Sequence, residues 1–194
     1  MPLRERPWLR VIALPAGIGV LSLLTNITTQ AQLEGRADGL LGARTFVTVL
    51  VNSGTVWAGL AVVAGRWVAR PWSAALAGPL SGICALTTHY ALGQASGLMP
   101  PDTFGSNVLW FAFALIFGVP LGLIGVLTHR RAAAGTLARL VVPLGALAEP
   151  WVQNWMLFAG PDTGPTPWAL RAAGVAMTLA GLVGVWVVLT RRAD

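Results

Sequence analysis

The stretch NVLWFAFALIFGVPLGLIGVLT, residues 107–128, decides the fold class. It contains no charged side chain, and a helix that crosses a bilayer needs roughly 20 mostly apolar residues. It therefore predicts a membrane-spanning helix. Similar runs lie on both sides of it, at about 8–25, 44–65, 72–92, 139–159 and 168–190. Together these runs predict an all-α fold, an integral membrane bundle of six transmembrane helices that forms a single transmembrane domain over 1–194.

The composition agrees with this prediction and excludes several classes of protein. Charged residues make up 10% of the chain and hydrophobic residues 55%, whereas soluble domains carry about 25% charged residues. A disordered chain and an ordinary soluble enzyme are excluded. The net charge of +6 comes entirely from arginines that lie between the apolar runs. A DNA-binding protein would gather them on one polar face, so we expect no nucleic-acid partner.

The arginines also predict the orientation in the membrane. Ten of the thirteen fall on one side of the six predicted spans: Arg4, Arg6, Arg10, Arg66, Arg70, Arg130, Arg131, Arg139, Arg191 and Arg192. The other side has Arg36, Arg44 and Arg171. Because cytoplasmic loops carry an excess of basic residues, both termini are predicted to be cytoplasmic. Exclusive use of Arg over Lys, with abundant Ala, Gly and Val, suggests a bacterial source and a multi-pass protein of the plasma membrane.

The odd-numbered spans suggest a threefold repeat of helical hairpins. Each of them ends on the outer side in a polar cluster, beginning near Thr25, Thr87 and Glu149 respectively. Each cluster is followed by an outer loop and a returning helix, and internal repeats are common in small transporters.

The second span carries a polar stripe at helical spacing, formed by Thr45, Thr48, Asn52, Thr55 and Gly59. Small residues on such a stripe let helices approach closely in lipid, so most of them are expected to be packing surface. The amide of Asn52 must find partners in hydrocarbon. Either a neighbouring helix or a binding site would supply them.

Glu149 is the outstanding residue of the sequence. It lies near the middle of the predicted span 139–159, and it is the only one of the seven acidic residues deep inside a span. A central acid costs about 2.5–3.5 kcal/mol or more to insert and usually faces a cavity or a partner. Desolvation favours its protonated form. Pro150 follows directly and predicts a kink at the same depth.

Further polar and aromatic residues surround Glu149 in the sequence. Trp151, Gln153, Asn154 and Trp155 follow within two helical turns. An acid, two amides and two indoles in this arrangement indicate a functional site. The alternative is structural, with Glu149 held by Gln153, Asn52 or His89 only to tie helices together.

A second candidate pair, His89 and Tyr90, lies near the outer end of the third span. There it could reach the level of Asn26 and Asn52, although a lone histidine is often only hydrogen-bonded structure. No metal site is expected, because a metal needs several suitable ligands and His129 lies on the cytoplasmic side. No cofactor motif is present, so no cofactor is expected.

Three groups of residues resemble a family of small actinobacterial membrane proteins with six spans. They are Val51–Trp57, Thr88–Tyr90 and Gly118–Gly125, and the resemblance covers about residues 45–155. It implies the fold and no chemistry. In size and in its intramembrane acid the chain is also similar to small integral membrane terpene cyclases of bacterial and fungal pathways. That similarity implies an enzyme acting on an isoprenoid.

The first functional hypothesis is therefore a membrane-embedded cyclase acting on an isoprenoid or similar lipid. A neutral Glu149 would protonate an alkene or epoxide as general acid, and His89 or Tyr90 would help to remove the final proton. Four indoles would line the substrate pocket and stabilise the carbocation, those of Trp57, Trp110, Trp151 and Trp155. The acid would be oriented by the amides of Asn52, Gln153 and Asn154. Asn26 is a further candidate for substrate binding.

Two other hypotheses stay open. One is a membrane subunit that binds a small molecule, such as the capture component of a vitamin importer, with Asn26, Asn52, His89 and Glu149 in an outward pocket. The other is a structural or accessory membrane protein. The expected partners are the lipid bilayer and a hydrophobic small molecule or isoprenoid. The sequence does not identify a protein partner.

Overall fold

The computed structural model describes residues 6–156 and 165–191. In these two ranges the chain is all-α and has no strand. The helices are α1 (Pro7–Asn26), α2 (Gln30–Leu33), α3 (Asp38–Val51), α4 (Gly54–Val68), α5 (Pro71–Ala95), α6 (Thr103–Ser106), α7 (Val108–Leu127), α8 (Ala133–Val152) and α9 (Pro165–Thr190). The all-α prediction is confirmed.

Several helices are long and apolar enough to cross a bilayer. Within the described residues, α1, α7 and α9 meet that criterion, and α3 with α4 make a fourth span if the bent pair is counted as one. Large apolar side chains on α7, including Leu109, Ile116 and Phe117, are exposed. Exposed apolar area of this extent indicates a surface that meets lipid or another protein. The helices are thus compatible with a membrane protein.

The structure supports three to four of the six predicted spans on length and composition. Helix α5 has 25 residues and is about 37 Å long at 1.5 Å per residue, but Ser, Thr, His and Gln side chains lower its apolarity. Helix α8 carries Arg139 and Glu149. For these two helices, the crossing of a membrane remains a prediction.

The second predicted span, 44–65, is not one continuous helix. Helix α3 ends at Val51, α4 begins at Gly54, and the two are bent by 41°. The polar stripe expected from Thr45 to Gly59 is therefore interrupted at Asn52. Hydropathy measures the average apolarity of the whole run, and a break of two residues inside it changes that average little.

The fifth predicted span is shifted along the chain. Helix α8 begins at Ala133 and ends at Val152, against the predicted 139–159, of which residues 157–159 lie outside the described part. The alanines before Leu137 are strong helix formers, so the helix starts ahead of the apolar run. This shift changes the position of Glu149 within its helix.

The chain divides by its packing into two compact units, Met1–Leu23 with Trp57–Ala138, and Leu24–Val56 with Arg139–Asp194. We call them unit 1 and unit 2. The prediction of a single domain over 1–194 remains a prediction.

Unit 1 is built on close contacts between glycine-bearing helix faces. A Cβ on Gly78 of α5 would collide with the backbone of Gly118 on α7, and one on Gly65 of α4 with the backbone of Gly122. Small residues permit such approach where hydrophobicity cannot drive association in lipid. Gly118 and Gly122 of α7 therefore serve as packing surface for α5 and α4.

Unit 2 packs α9 against α3 and α8. A Cβ on Gly181 would meet Leu147 and the carbonyl of Pro143, and one on Gly184 would meet the ring of Pro143. Pro150 is fully buried, and a Cβ on Gly174 would lie 3.4 Å from its Cβ. The end of α8 that carries Glu149 is thereby held against α9.

Candidate functional site

At the break between α3 and α4, nearby side chains hydrogen-bond to backbone groups at the two helix ends. Asn52 caps the C-terminus of α3, and its amide Nδ2 donates to the carbonyl of Thr48 at 2.9 Å. Ser53, which is buried, accepts from the backbone N–H of Val56 at 3.2 Å. Serine is among the preferred residues before a helix N-terminus, because its oxygen satisfies an N–H group that has no partner inside the helix.

Glu149 accepts hydrogen bonds from the two backbone N–H groups that precede that of Val56. The N–H of Gly54 donates to Glu149 Oε1 at 2.6 Å, and the N–H of Thr55 donates to Oε2 at 2.8 Å. All three residues belong to unit 2. Both carboxylate oxygens thus accept bonds from the first turn of α4, where the helix dipole favours negative charge. Both N–H groups are donors, so both oxygens of Glu149 act as acceptors here.

The sequence predicted that Glu149 lies near the middle of its helix, and this prediction is wrong. Glu149 is three residues from Val152, the last residue of α8. The helix ends because Asn154 adopts a left-handed conformation with φ 58°, and the N–H of Trp155 bonds back to the carbonyl of Pro150 at 2.9 Å. Asn154 tolerates this conformation better than most residues. The acid therefore sits at a helix end, beside a second helix end.

The other candidates near Glu149 are exposed or half-buried. Trp151 is 51% exposed, and since it is two residues from Glu149 it lies on a different face of α8. The backbone N–H of Gln153 donates to the carbonyl of Glu149 at 2.8 Å. The Gln153 and Asn154 side chains are exposed, and that of Trp155 is half-buried.

Asn26 ends α1 and is exposed. The carbonyl before it, that of Thr25, accepts from the guanidinium Nη1 of Arg44 at 2.9 Å and from the hydroxyl of Thr48 at 2.5 Å. These bonds satisfy a carbonyl at the end of α1. The structure thus adds Arg44 to the polar groups of unit 2.

The candidates His89 and Tyr90 belong to unit 1, whereas Glu149 belongs to unit 2. Both rings are buried and meet edge to face, with centroids 5.0 Å apart. His89 lies near the backbone of Gly19. Its Nδ1 is buried and, within the described residues, has no hydrogen-bond partner.

The ring of Tyr90 extends this cluster to α6 and α7. Its centroid lies 5.9 Å from those of Phe104 and Phe111. Trp110 is 55% exposed and packs on Phe113, and Trp57 on α4 is half-buried. The structure therefore brings His89 and Tyr90 together with phenylalanines, while Trp110 lies on the exposed apolar face of α7.

Sequence reasoning missed Gly54 and Thr55 as partners of Glu149. It expected the amides of Asn52 and Gln153, or His89, to hold the acid. A local signal was present, since a Ser-Gly dipeptide inside an apolar run is typical of a turn. The pairing itself joins residues 95 and 94 positions apart, which no local pattern reveals.

Residues 6–156 and 165–191 contain no group of three His, Cys, Asp or Glu side chains placed to hold a metal ion. The thiol of Cys84 lies 3.4 Å from the carbonyl of Ile12, as a weak donor.

No family model, no curated protein and no solved structure matches this chain. The two resemblances drawn from the sequence therefore stay predictions. The class that the helices define is an all-α protein with apolar helices compatible with a membrane. The features of these helices that bear on function are the interruption between α3 and α4 and the acid bound there.

Proposed function

We propose that the chain is a multi-pass membrane protein that binds a small polar solute at the break between α3 and α4, as the capture subunit of an importer would. The observation that carries the proposal is the pair of hydrogen bonds from Gly54 and Thr55 to the two oxygens of Glu149. It favours this hypothesis over the cyclase and keeps Glu149 as the central residue.

The break itself supports a binding role. Inside a bilayer, non-helical backbone is tolerated where it is buried in protein or lines a cavity. Transporters use such breaks, and their substrates and coupling ions bind to the free ends of the interrupted helices. In this chain the break at Asn52–Ser53 presents an acid, the helix N-terminus of α4 and the helix end at Asn52.

The hydrogen-bonding capacity of Glu149 indicates the chemistry of the solute. An ionised carboxylate has about four lone-pair sites, and Gly54 and Thr55 use two of them. The remaining sites favour a donor. We therefore expect a solute with an amine, a guanidine or N–H-rich ring, which includes cationic vitamins.

The test is solute binding by the purified full chain in detergent or lipid discs. Thermal-shift screening against small amines, guanidines and cationic vitamins comes first, followed by calorimetry of any hit. Glu149→Gln keeps one acceptor but removes the charge, and we expect it to weaken binding by about tenfold or more, as loss of a charge-assisted hydrogen bond does. Glu34→Gln is the matched control, because Glu34 pairs with Arg36 at the surface.

Two outcomes of these binding measurements would contradict the proposal. If Glu149→Gln binds the solute as tightly as the parent chain, Glu149 serves only to hold the start of α4. If no member of the panel binds to the folded chain, the solute-binding function is wrong, and the structural alternative is left.

The cyclase hypothesis stays a prediction with its own test. A general acid must carry a proton to the substrate, whereas Glu149 accepts two N–H bonds, so one of them would have to be exchanged during turnover. Membranes containing the chain would be incubated with epoxidised prenyl compounds. Cyclised product formed by the parent and lost in Glu149→Gln would favour the enzyme over the capture subunit.

The finer membrane assignment is part of the same proposal. We place the chain in a bacterial plasma membrane with six spans, counting α5 and α8, and with both termini in the cytoplasm. The excess of cytoplasmic arginine supports it. In unit 1 a guanidinium Nη1 of Arg66 donates to the hydroxyl of Thr128 at 2.9 Å, and His129 Nε2 lies 2.9 Å from the carbonyl of Arg66. These bonds join two of the segments that the proposal places at the cytoplasmic side.

A further inference from the structure

Gly54 leaves an open space beside the carboxylate of Glu149. It is the first residue of α4, and it is exposed. A Cβ built on Gly54 would lie 3.5 Å from Glu149 Oε1, 3.8 Å from Cδ and 3.9 Å from Oε2. These distances are ordinary van der Waals contacts. The position that a side chain would take is therefore empty space directly against the acid.

Neither the backbone nor the packing requires a glycine at position 54. Among the described residues, the glycines with positive φ are Gly35 and Gly97, so alanine can adopt the backbone conformation of Gly54. At Gly78, by contrast, a Cβ would collide with the backbone of Gly118. The effect of the missing methyl group at Gly54 is to leave the neighbouring carboxylate uncovered.

Burial around the acid differs from one side to the other. Ser53 is 2% exposed, and Pro150, which follows Glu149, is fully buried. Asn52 and Gly54 are exposed, and Glu149 itself is half-buried. A solute from outside the protein would thus reach the carboxylate over the exposed side of the break, where Gly54 has no side chain.

The hydrogen bonds already present indicate which chemical group fits this space. The N–H groups of Gly54 and Thr55 each use one lone pair of Glu149, and each carboxylate oxygen has about two. Each oxygen therefore keeps one acceptor site for an N–H donor. A primary ammonium group carries three N–H bonds and has about the size of a methyl group, so it matches the space that a Cβ would fill.

We propose that Gly54 determines the specificity of the site by seating the primary ammonium group of a solute against Glu149. This inference rests on the proposed function, and it names the head of the solute and the residue that selects it. Each methyl group added to the nitrogen removes an N–H donor and adds bulk beside Gly54. One extra group of this size in a fitted pocket costs roughly 10- to 200-fold in affinity.

The experiment compares three probes that differ only at the nitrogen: phenethylamine, N-methylphenethylamine and N,N,N-trimethylphenethylammonium. Binding to the purified full chain in lipid discs is measured by calorimetry. We expect the parent chain to bind the primary amine about tenfold or more tightly than the quaternary probe, which has no N–H donor.

Gly54→Ala tests the space itself. It keeps the carboxylate of Glu149 and both backbone N–H donors, but its methyl group occupies the seat of the ammonium group. It should weaken binding of the primary amine by about tenfold or more. Its free energy of unfolding should stay close to that of the parent, because the added methyl group meets its nearest atom at 3.5 Å.

Gly39→Ala is the matched control. Gly39 lies in the first turn of α3, in the same packing unit as Gly54, and a Cβ there meets no atom within 4 Å. This variant should bind all three probes as the parent chain does. Equal weakening in Gly39→Ala and Gly54→Ala would overturn the role of Gly54.

The outcomes also separate this inference from the proposed function. If the parent binds the primary amine and Gly54→Ala binds it as tightly, the role of Gly54 is wrong while the solute site stands. Equal binding of the three probes, or binding only of other members of the wider panel, would overturn the primary ammonium head. If nothing in the wider panel binds to the parent chain, the proposed function fails and this inference fails with it.

Discussion

At the scale of single residues, Glu149 is bonded to the start of another helix. It accepts from the N–H groups of Gly54 and Thr55, where a negative charge compensates the positive end of α4. A sequence reader recognises Glu149 as the one acid inside an apolar run. The partners escape recognition because they are backbone groups, which every residue has, and only the break of the helix makes them available.

The first prediction concerns the stability that this contact provides. Glu149→Ala leaves two helix-terminal N–H groups without their acceptor, so we expect the free energy of unfolding to fall by about 1–2 kcal/mol, in the range of a lost helix cap. Glu149→Gln should lose less, because its amide oxygen still accepts one bond. Chemical unfolding in detergent micelles, followed by circular dichroism, measures both.

Glu34→Ala is the control for this prediction. Glu34 forms an exposed ion pair with Arg36 and accepts a bond from Gln30 at 2.8 Å, and exposed pairs contribute little. Its loss should be well below that of Glu149→Ala. Equal losses in the two variants would mean that the contact at the break adds nothing to stability.

At the scale of elements, apolar runs predict helices well and their ends less well. The run 107–128 corresponds to α7 within one residue at each end, and 8–25 corresponds to α1 equally closely. The sequence prediction missed the break at Asn52–Ser53, and it placed the start of α8 too late in the chain. Hydropathy measures the preference for lipid, while a helix begins and ends where its N–H and carbonyl groups find caps.

The second prediction tests how closely α5 and α7 approach. Gly78→Ala places a methyl group against the backbone of Gly118, and backbone cannot yield as a flexible side chain does. We expect a loss of about 1–3 kcal/mol in the free energy of unfolding, as for other overpacked sites. The melting temperature of the purified chain gives the direction, and chemical unfolding gives the magnitude.

Gly17→Ala in α1 is the matched control, since a Cβ there meets no atom within 4 Å. Alanine has the higher helix propensity, by roughly 1 kcal/mol in an exposed helix, so this variant should be neutral or more stable. If Gly78→Ala is as stable as Gly17→Ala, the two helices are not as close as the structure shows.

At the scale of the whole molecule, arginine placement predicts a topology that can be measured. With six spans, the N- and C-termini lie on the same side, and the loop near Glu34 lies on the other. Alkaline phosphatase fused after Arg36 should be active in the periplasm, whereas green fluorescent protein fused at the C-terminus should fluoresce in the cytoplasm. An inactive phosphatase fusion, or a dark C-terminal fusion that is made in full, would contradict this topology.

The pattern of apolar runs was sufficient to predict an all-α chain rich in apolar helices, and the 10% of charged residues agrees with it. It was insufficient to assign candidate residues to the two units. His89 with Tyr90 and Glu149 stand together in a list of polar groups, yet they belong to different packing units. Which helices pack together depends on glycine contacts such as Gly78 with Gly118, and small residues occur in every helix of this chain.

The bond between Gly54 and Glu149 also has a consequence for the order of events during synthesis. The two residues are 95 positions apart, and chains grow at about 5–20 residues per second, so the acid leaves the ribosome roughly 5 to 20 s after the helix start that it binds. During that interval the first turn of α4 needs another acceptor, such as water. The pairing of Glu149 with this turn is therefore a late event in the assembly of the protein.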